Sequence, residues 1–200
     1  MLTFKRTEDI TEEMVKVLRL HLEGLKLGFK EIFNEWPAGN FTLKYPSLSI
    51  ITSGDPLFTK TQNKPIVLTG TIGADKKAKV LRETGTWEWD LQVDLWCKNK
   101  NQRTEFLRKL EEALDPDTAS ESKSGLHLVM PNYYNDFCSY TYEGYSYEDS
   151  EISSQRREWR SLLRVKADAK SLRDKREFIM ETIELDLETR NTAEELDPQP

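Results

Sequence analysis

The sequence contains few of the residue types that usually carry metal binding, disulfide bonding or nucleophilic catalysis. Two cysteines, Cys97 and Cys138, and two histidines, His21 and His127, occur in 200 residues. The histidines are far apart and lie in no HxxxH or CxxC spacing, which argues against a zinc site. Two cysteines make no disulfide framework, so we expect buried free thiols and folding in a reducing compartment.

Several other functional signals are missing. No apolar run approaches the ~20 residues that a membrane-spanning helix needs, and the N-terminus MLTFKRTEDITEE turns acidic where an export signal needs an apolar stretch. The stretch LTGTIGADKK lacks the strand-loop-helix frame and the GK[ST] ending of a phosphate loop. The acidic cluster Glu148, Asp149 and Glu151 lacks calcium-loop spacing, which predicts a solvated tip. We therefore predict no catalytic residue, no metal and no cofactor.

The bulk composition describes one soluble domain with a modest core. Hydrophobic residues make up 37% of the chain and charged residues 32%. The net charge of −6 and the pI near 5.2 argue against a general nucleic-acid binder, whose affinity comes largely from Lys and Arg on phosphates. We predict a single domain over residues 1–189 and a disordered polar tail over 190–200.

The first periodic segment predicts a long helix. Thr11 suits an N-cap before Glu12, and apolar residues then recur at a spacing of three and four as far as Trp36, before Pro37. A coiled-coil seam is the alternative, but the apolar stripe is wider than a strict seam and favours packing across a sheet.

The middle of the chain predicts strands around a long loop. Residues 44–56 form a strand that begins at Tyr45-Pro46, and residues 57–77 mix Gly, Lys and Thr, which predicts a partly structured loop with room for a hairpin of its own. Residues 78–84 are predicted to be extended and to lead into a strand over 86–97. In that strand Trp87, Trp89, Leu91, Val93 and Leu95 alternate with polar residues.

A helix and two further strands complete the predicted domain. The helix follows Asn101 and ends near Leu114, and the strands cover 137–147 and 156–169, with a polar turn between them. Residues 178–188 fit either a strand or a helix, and we favour a strand. The predicted fold is therefore α+β: an antiparallel or mixed sheet with helices on one face, in the order α-β-β-α-β-β plus a C-terminal strand.

Aromatic residues and arginines on the predicted sheet point to a protein interface, because Trp, Tyr and Arg are enriched where protein surfaces meet. Trp87 and Trp89 fit the core face of their strand. Trp96 falls on the opposite face, and the polar turn carries exposed tyrosines and arginines. The residues predicted to contact another subunit are Trp96, Tyr145, Tyr147, Arg156 and Arg157.

In its order of elements the chain resembles the tail terminator proteins of long-tailed bacteriophages of the lambda type. The segments that carry the resemblance are the first helix, YPSLSIITSG, RETGTWEWDLQVDLW, NQRTEFLRKLEEAL, and SYTYEGYSYEDSEISSQRREWRSLLRVKAD. They cover roughly residues 11–169. The loop at 57–77 is longer than the family pattern, and the extension from 170 is additional to it.

The resemblance implies a structural virion protein that catalyses no reaction. It would form a ring, hexameric by analogy, at the head-proximal end of the tail tube, end tube growth and offer a surface to the head connector or neck. The implied partners are the protein itself, the tube protein, the sheath and the connector, with no membrane. DNA would pass through the ring without sequence-specific binding, and assembly would take place in the host cytoplasm.

Two further expectations follow from that setting. The acidic residues Glu88, Asp90 and Asp94 are predicted to face the ring lumen, where negative charge would let DNA slide. The loop at 57–77 is predicted to grip a neighbouring ring. Two alternatives stay open: a neck, head-to-tail joining or baseplate component, and a small α+β enzyme or regulator.

Overall fold

The structure, a computed structural model, describes residues 7–36, 43–69, 77–115, 125–153 and 156–178. It describes only the backbone at the outer ends of the longest strands and in the hairpin around residues 150–158. The described residues form a mixed α/β fold, in which a curled mixed sheet is accompanied by two helices.

The described chain forms two helices, and three strands follow the first helix and four the second. The helices are α1, Thr7–Gly24, and α2, Lys100–Leu114. The first three strands are β1, Glu31–Phe33, β2, Ser47–Thr69, and β3, Lys77–Cys97. The last four are β4, Leu126–Met130, β5, Asp136–Tyr147, β6, Ser150–Ser153, and β7, Arg156–Phe178.

The strands pair in the spatial order β1-β2-β3-β7-β5-β4, and β6 pairs with the first residues of β7. All pairs are antiparallel except β1 with β2, which is parallel. The sheet is therefore mixed, as predicted. The predicted order α-β-β-α-β-β is matched only in part, because β1, β4 and β6 are additional strands. Packing of both helices on one face is also matched only in part, since α1 contacts β1, β2 and β4 while α2 contacts β3, β5 and β7.

The first helix is much shorter than its sequence pattern predicted. It begins at Thr7, before the expected cap at Thr11, and ends at Gly24. Lys26 and Gly28 then adopt positive φ angles of 51° and 96°, which no helix tolerates. The predicted helical residues 31–33 form β1 instead. Leu27, Phe29 and Ile32 still pack on the core, but from a turn and a strand, whereas Leu25 and Trp36 are exposed.

The predicted loop at 57–77 is also wrong for most of its length. Residues 57–69 continue β2 and pair with β3 as far as Thr69 opposite Lys79. The Gly54-Asp55-Pro56 segment, which looked like the end of a strand, is absorbed as a bulge between Ser53 and Leu57, where Gly54 has a φ of +77°. The expected extended segment at 78–84 is confirmed as part of β3.

The central strand, the second helix and the two late strands match their predicted positions. In β3, Trp89, Leu91, Val93 and Leu95 are buried in the main core. Helix α2 begins after Asn99, whose side chain accepts a hydrogen bond from the Gln102 amide, and buries its apolar face from Phe106 to Leu114. Residues 179–200, including the predicted C-terminal strand and the tail, lie outside the described residues.

The two cysteines are free and buried, and their positions in the sheet keep them apart. Cys97 lies opposite Trp159 and Cys138 lies opposite Ala169. Ten residues of β7 separate those two positions, which is about 33 Å at the usual strand rise. A disulfide requires Cα atoms within about 7 Å, so these thiols cannot pair within one chain.

Three long strands continue past the part of the sheet that the helices cover. Strand β5 leaves β7 at the Cys138–Ala169 pair, but β3 and β7 remain paired as far as Lys77 and Phe178. We call residues 59–69, 77–85 and 170–178 the arm, and the rest of the described chain the body. At about 3.4 Å per residue, the nine arm residues of β7 span about 30 Å.

Candidate interaction site

The site begins with a buried carboxylate on β3. The Asp94 side chain is fully buried, and Oδ1 accepts hydrogen bonds from Nε and Nη2 of Arg160 on β7, at 2.9 and 2.8 Å. Its Oδ2 accepts a hydrogen bond from Gln92 at 2.9 Å. Burial raises the pKa of Asp94, and the bonds from Gln92 and Arg160 oppose that rise. A buried carboxylate with these donors is a structural ion pair.

Aromatic rings enclose the arginine of that pair. The Arg160 guanidinium lies 4.3 Å from the Trp36 ring centre and 4.9 Å from the Trp96 ring centre. The two indoles meet edge to face at 5.8 Å. Trp96 also donates a hydrogen bond from Nε1 to Ser49 Oγ at 3.1 Å. These contacts combine cation–π attraction with burial of the Trp96 indole, while Trp36 stays 45% exposed.

A second arginine approaches from helix α2. Arg103 is only 4% exposed; its Nη1 donates hydrogen bonds to Asp149 Oδ1 and, at 3.5 Å, to the Arg160 carbonyl oxygen. Its guanidinium lies 3.9 Å from the Tyr147 ring centre and 5.0 Å from the Trp159 ring centre. Arg103 therefore ties the helix to the end of the sheet.

The two arginines together hold the turn that follows β5. Arg160 Nη1 lies 3.0 Å from Glu148 Oε2, and the Glu148 amide donates to the Arg160 carbonyl at 3.1 Å. Arg103 binds the next residue, Asp149. Glu148 and Asp149 are exposed, as the predicted solvated tip requires, but each also forms an ion pair that the sequence did not predict. We call Asp94, Arg103, Glu148, Asp149 and Arg160 the arginine clamp.

The clamp fixes the base of a projecting hairpin. Strand β6 pairs with residues 156–158 of β7, which lie beyond the last residue of β3. The backbones of Arg156 and Arg157 lie in this hairpin, opposite Ser153 and Glu151. Their side chains lie outside the described part of the chain, so their predicted subunit contacts stay predictions.

Two exposed tyrosines lie beside the clamp. Tyr145 and Tyr147 are 44% and 52% exposed, with ring centres 5.3 Å apart. Tyr147 donates a hydrogen bond to the Tyr145 hydroxyl at 3.5 Å, and this contact is the main cause that raises the pKa of Tyr145. Trp96 differs, because it is only 7% exposed. Trp96 therefore packs within its own chain and is not available as the predicted subunit contact. The two tyrosines have the exposure that such a contact needs.

The acidic residues of β3 that were predicted to share one surface differ in their exposure. Asp90 is exposed, and Glu88 is half-buried with its Oε2 2.6 Å from Lys166 Nζ. The expectation that Asp94 faces solvent is wrong, because Arg160 and Gln92 enclose it. Lys166 of β7 lies beside the two remaining carboxylates, opposite Asp90 in the sheet and paired with Glu88. An open groove of about 320 Å³ passes through this surface and is lined in part by Asp90, Glu143 and Arg164.

One cluster that sequence spacing missed brings together a serine, a histidine and an aspartate. Ser139 Oγ lies 2.9 Å from His127 Nδ1 and also bonds Asp168. Burial, followed by the charge of Glu88, raises the pKa of Asp168. In a catalytic triad the histidine stands between the serine and the carboxylate. Here the serine stands in the middle, so this arrangement does not activate a nucleophile. Only strand pairing reveals the cluster.

Apolar side chains are exposed where the body meets the arm. Leu57 is 62% and Phe58 39% exposed. The Phe58 ring packs on Trp87 at 4.5 Å, and Trp87 packs on the buried Trp89 at 5.9 Å. An aromatic row therefore leads from the core of the body to the exposed residues at the base of the arm, a composition typical of protein contact surfaces.

Comparison with known proteins does not assign the chain to a family. No protein-family model matches the chain, and no curated protein matches its sequence. Among the residues that the structure describes, no group of three or more His, Cys, Asp or Glu is placed to hold a metal ion. Within those same ranges, no helix is both long and apolar enough to cross a bilayer.

Proposed function

We propose that the protein is a ring-forming structural component of a tailed-phage virion, of the tail terminator type. In this proposal a ring of copies, six by analogy, caps the head-proximal end of the tail tube and presents a surface to the head or neck. The observation that carries the proposal is the arm: a three-stranded extension whose faces the body leaves partly uncovered.

The arm needs a partner to bury its surface. A small sheet becomes stable when its apolar face packs against another layer. The helices of this protomer cover the body, while Leu57 and Phe58 at the base of the arm stay exposed. A neighbouring subunit that covers this region, repeated by rotation, makes a heterologous contact that closes into a ring.

The clamp supports the same proposal at the other end of the sheet. A subunit contact is stronger when the contacting segment is already ordered, because less conformational entropy is lost on binding. Arg103 and Arg160 order the turn at 148–149 and so orient the hairpin beyond it. Tyr145 and Tyr147 lie beside that turn, exposed and adjacent. We propose that these tyrosines and the hairpin form the contact with the next subunit.

Two finer features belong to the proposal. The first is the terminator-like packing of helices on one sheet face. The second is a lumen-facing role for Glu88 and Asp90, without Asp94. Because Lys166 neutralises part of this face, the surface offered to DNA would be mixed in charge, and DNA would pass without sequence-specific binding.

The test is the mass of the purified protein by light scattering over a concentration series, with and without tail-tube protein. We expect a ring, or a monomer that becomes a ring when tube protein is added. The double variant Tyr145→Ala/Tyr147→Ala should shift this equilibrium toward monomer. The matched control is Leu20→Ala, an apolar residue that is 49% exposed on α1. A protein that stays monomeric with tube protein present would contradict the proposal.

A neck, head-to-tail joining or baseplate role is the second candidate, and the arm also favours it. Two segments depart from the terminator pattern, and their described residues, 57–69 and 170–178, pair with opposite edges of β3 and form the outer strands of this arm. A longer arm suits a protein that reaches across to a different ring. Binding to isolated connector or baseplate protein in preference to tube protein would favour this second role.

A further inference from the structure

The two outer edges of the arm differ in how they are protected. Along the arm, the β2 edge carries Pro65 and two register shifts, between Lys60 and Lys64 and between Pro65 and Val67. Bulges and prolines are the devices that prevent an edge strand from pairing with another chain. The β7 edge contains no proline between residues 170 and 178. Its sequence therefore leaves strand addition possible along that edge.

The body covers only the beginning of the β7 edge. The Tyr133 hydroxyl accepts a hydrogen bond from the Leu172 amide at 2.9 Å. In a β-ladder, alternate residues direct their backbone groups to the same side, so residues 174, 176 and 178 face that side too. Within the described part of the chain, no strand pairs with them there. This edge is a template for a strand that comes from elsewhere.

The charge of the arm indicates what kind of strand would bind. By sequence, its three segments contain nine Lys or Arg and three Asp or Glu, a net charge of +6. Residues 179–200 contain seven Asp or Glu and one Arg, a net charge of −6. Within this acidic segment Ile183, Leu185 and Leu187 alternate with Glu184, Asp186 and Glu188, a period typical of strands. The two parts of the chain are therefore complementary in charge.

The place where the acidic segment begins favours binding to another copy. It follows Phe178, which pairs with Lys77 at the tip of the arm. To pair with its own β7 edge, the chain would have to reverse in a tight turn directly after Phe178. Such turns depend on Gly, Asn, Pro or Asp, and residues 179–190 contain none of these except Asp186. The chain is better suited to continue past the tip.

We propose that the acidic C-terminal segment of one copy, residues 179–190, adds as a strand to the β7 edge of the arm of a neighbouring copy. Backbone hydrogen bonds would supply affinity, and the opposite charges of arm and segment would select the partner. This proposal rests on the self-association proposed above and names the contact that links adjacent copies. The occupant is a second copy of this chain.

Disulfide trapping between full-length chains tests the contact directly. One preparation carries Leu185→Cys and the other carries Arg176→Cys, and the two are mixed under mild oxidation. The native thiols are buried, which limits background. We expect the mixed heterodimer to form at least about tenfold faster than with the control Glu112→Cys on the exposed face of α2, because docking raises the effective concentration. Equal rates would overturn the proposal.

A double variant separates binding between copies from binding within one chain. Leu185→Cys and Arg176→Cys are placed in one chain and oxidised at a concentration at which copies associate. Disulfides between chains support the proposal, whereas disulfides found only within chains would mean that the segment folds back on its own arm, which would overturn the proposal. A ring seen by light scattering without trapping would refute this contact and leave the ring intact. Trapping in a protein that forms no ring would refute the ring and keep the contact.

A charge exchange tests whether the opposite charges of arm and segment select the partner, and it distinguishes a protein partner from a nucleic-acid partner. Lys175→Glu/Arg176→Glu should slow trapping through an Asp174→Cys reporter on the β7 edge by about fivefold, a typical effect for exposed pairs. Adding Glu184→Lys/Glu188→Lys to the other chain should restore the rate. A labelled DNA duplex tests the alternative partner. If the duplex binds the parent chain but not the Lys175→Glu/Arg176→Glu variant, and if trapping is the same in both, the arm binds nucleic acid and the proposal is overturned.

Discussion

The body and the arm are built from the same three strands but obtain their stability differently. In the body, helices and neighbouring strands bury Leu95, Leu110 and Leu163 completely. In the arm, Leu81 and Leu172 join the core at the inner end, while Leu57 and Phe58 at its base stay exposed. Burial of apolar area is the main favourable term in folding. We therefore expect the body to determine global stability and the arm to respond mainly to what binds it.

The largest expected difference is between a core leucine and the exposed leucine at the base of the arm. Leu110→Ala should lower the free energy of unfolding by about 2–5 kcal/mol, because it removes a fully buried side chain and leaves a cavity. Leu57→Ala, at a 62% exposed position, should change it by less than about 0.5 kcal/mol. Urea unfolding of both variants measures this. Equal losses would mean that the arm is as tightly packed as the body.

The arginine clamp should be the next most sensitive feature of the body. Arg160→Met leaves the buried Asp94 carboxylate without its main partner, and we expect a loss of about 3 kcal/mol near neutral pH. The control Arg164→Met removes an exposed arginine of the same strand. Thermal unfolding with near-UV circular dichroism follows both variants, and a similar small loss in each would show that the clamp is energetically unimportant.

The loss in Arg160→Met should also depend on pH. Burial raises the pKa of Asp94 in the folded state, so the folded protein binds this proton more tightly than the unfolded chain does. For such a group, stability is highest below the ordinary pKa of 3.8 and falls as pH rises through the folded value. The loss should therefore be smaller at about pH 4 than near neutral pH.

Gly85 tests how closely the arm strands approach each other. A methyl group at this position would overlap the Phe58 ring and the Thr59 carbonyl oxygen. Because backbone cannot move aside cheaply, Gly85→Ala should cost about 1–3 kcal/mol. Gly24→Ala at the end of α1 meets no atom within 4 Å and should be neutral or slightly stabilising. A neutral Gly85→Ala measured by urea unfolding would contradict close β2–β3 packing there.

Tyr133 is the hydrogen-bonded joint between body and arm. Tyr133→Phe removes the hydroxyl that accepts from the Leu172 amide and should cost about 1–2 kcal/mol. Hydrogen exchange measured by mass spectrometry should show faster exchange around residue 172 than in the parent protein, with the β5–β7 pairs of the body unchanged. Faster exchange throughout the sheet would show that the joint belongs to the body instead.

The smallest expected effect concerns the reactivity of the two native cysteines, which reports how exposed they are. Burial raises the pKa of Cys97 and of Cys138 to about 12, and a thiol reacts only as the thiolate. At mildly alkaline pH the native protein should therefore not react with a thiol reagent until it is unfolded. A Thr59→Cys thiol, at an exposed arm position, should react at once. Rapid reaction of the native cysteines would show that the body opens readily.

Short-range patterns predicted the body well. The alternation in β3 and β5 and the helical spacing of α2 were each confirmed, because in these elements one face meets the core and the other meets solvent. The apolar pattern of the first helix predicted burial correctly for Val15, Leu18 and Leu22, but not for Leu25 and Trp36, which are 44% and 45% exposed, and it did not predict the conformation beyond Gly24. Beyond Gly24 the residues that pack on the core do so from a turn and a strand, and spacing cannot distinguish a helix from a turn that presents the same side chains.

The interaction site was harder to predict because its residues come from distant parts of the chain. Tyr145 and Tyr147 were found from local composition, which depends only on neighbours in sequence. Trp96 was misassigned because strand alternation places it opposite the core, and nothing local reveals Trp36 and Arg160 above it. Arg103 was missed, since it looked like one more charged position on an exposed helix.

The sequence by itself determined the secondary-structure pattern of the body, the free thiols and the acidic character of the C-terminal segment, since these depend on residue type and local spacing. Tertiary structure decided the rest. It converted an apparent loop into arm strands, because β3 offers hydrogen bonds along the length of β2. It also buried Asp94 beneath Arg160, because strand register brings residue 160 beside residue 96. Pairing between distant segments is a long-range property, and no local pattern encodes it.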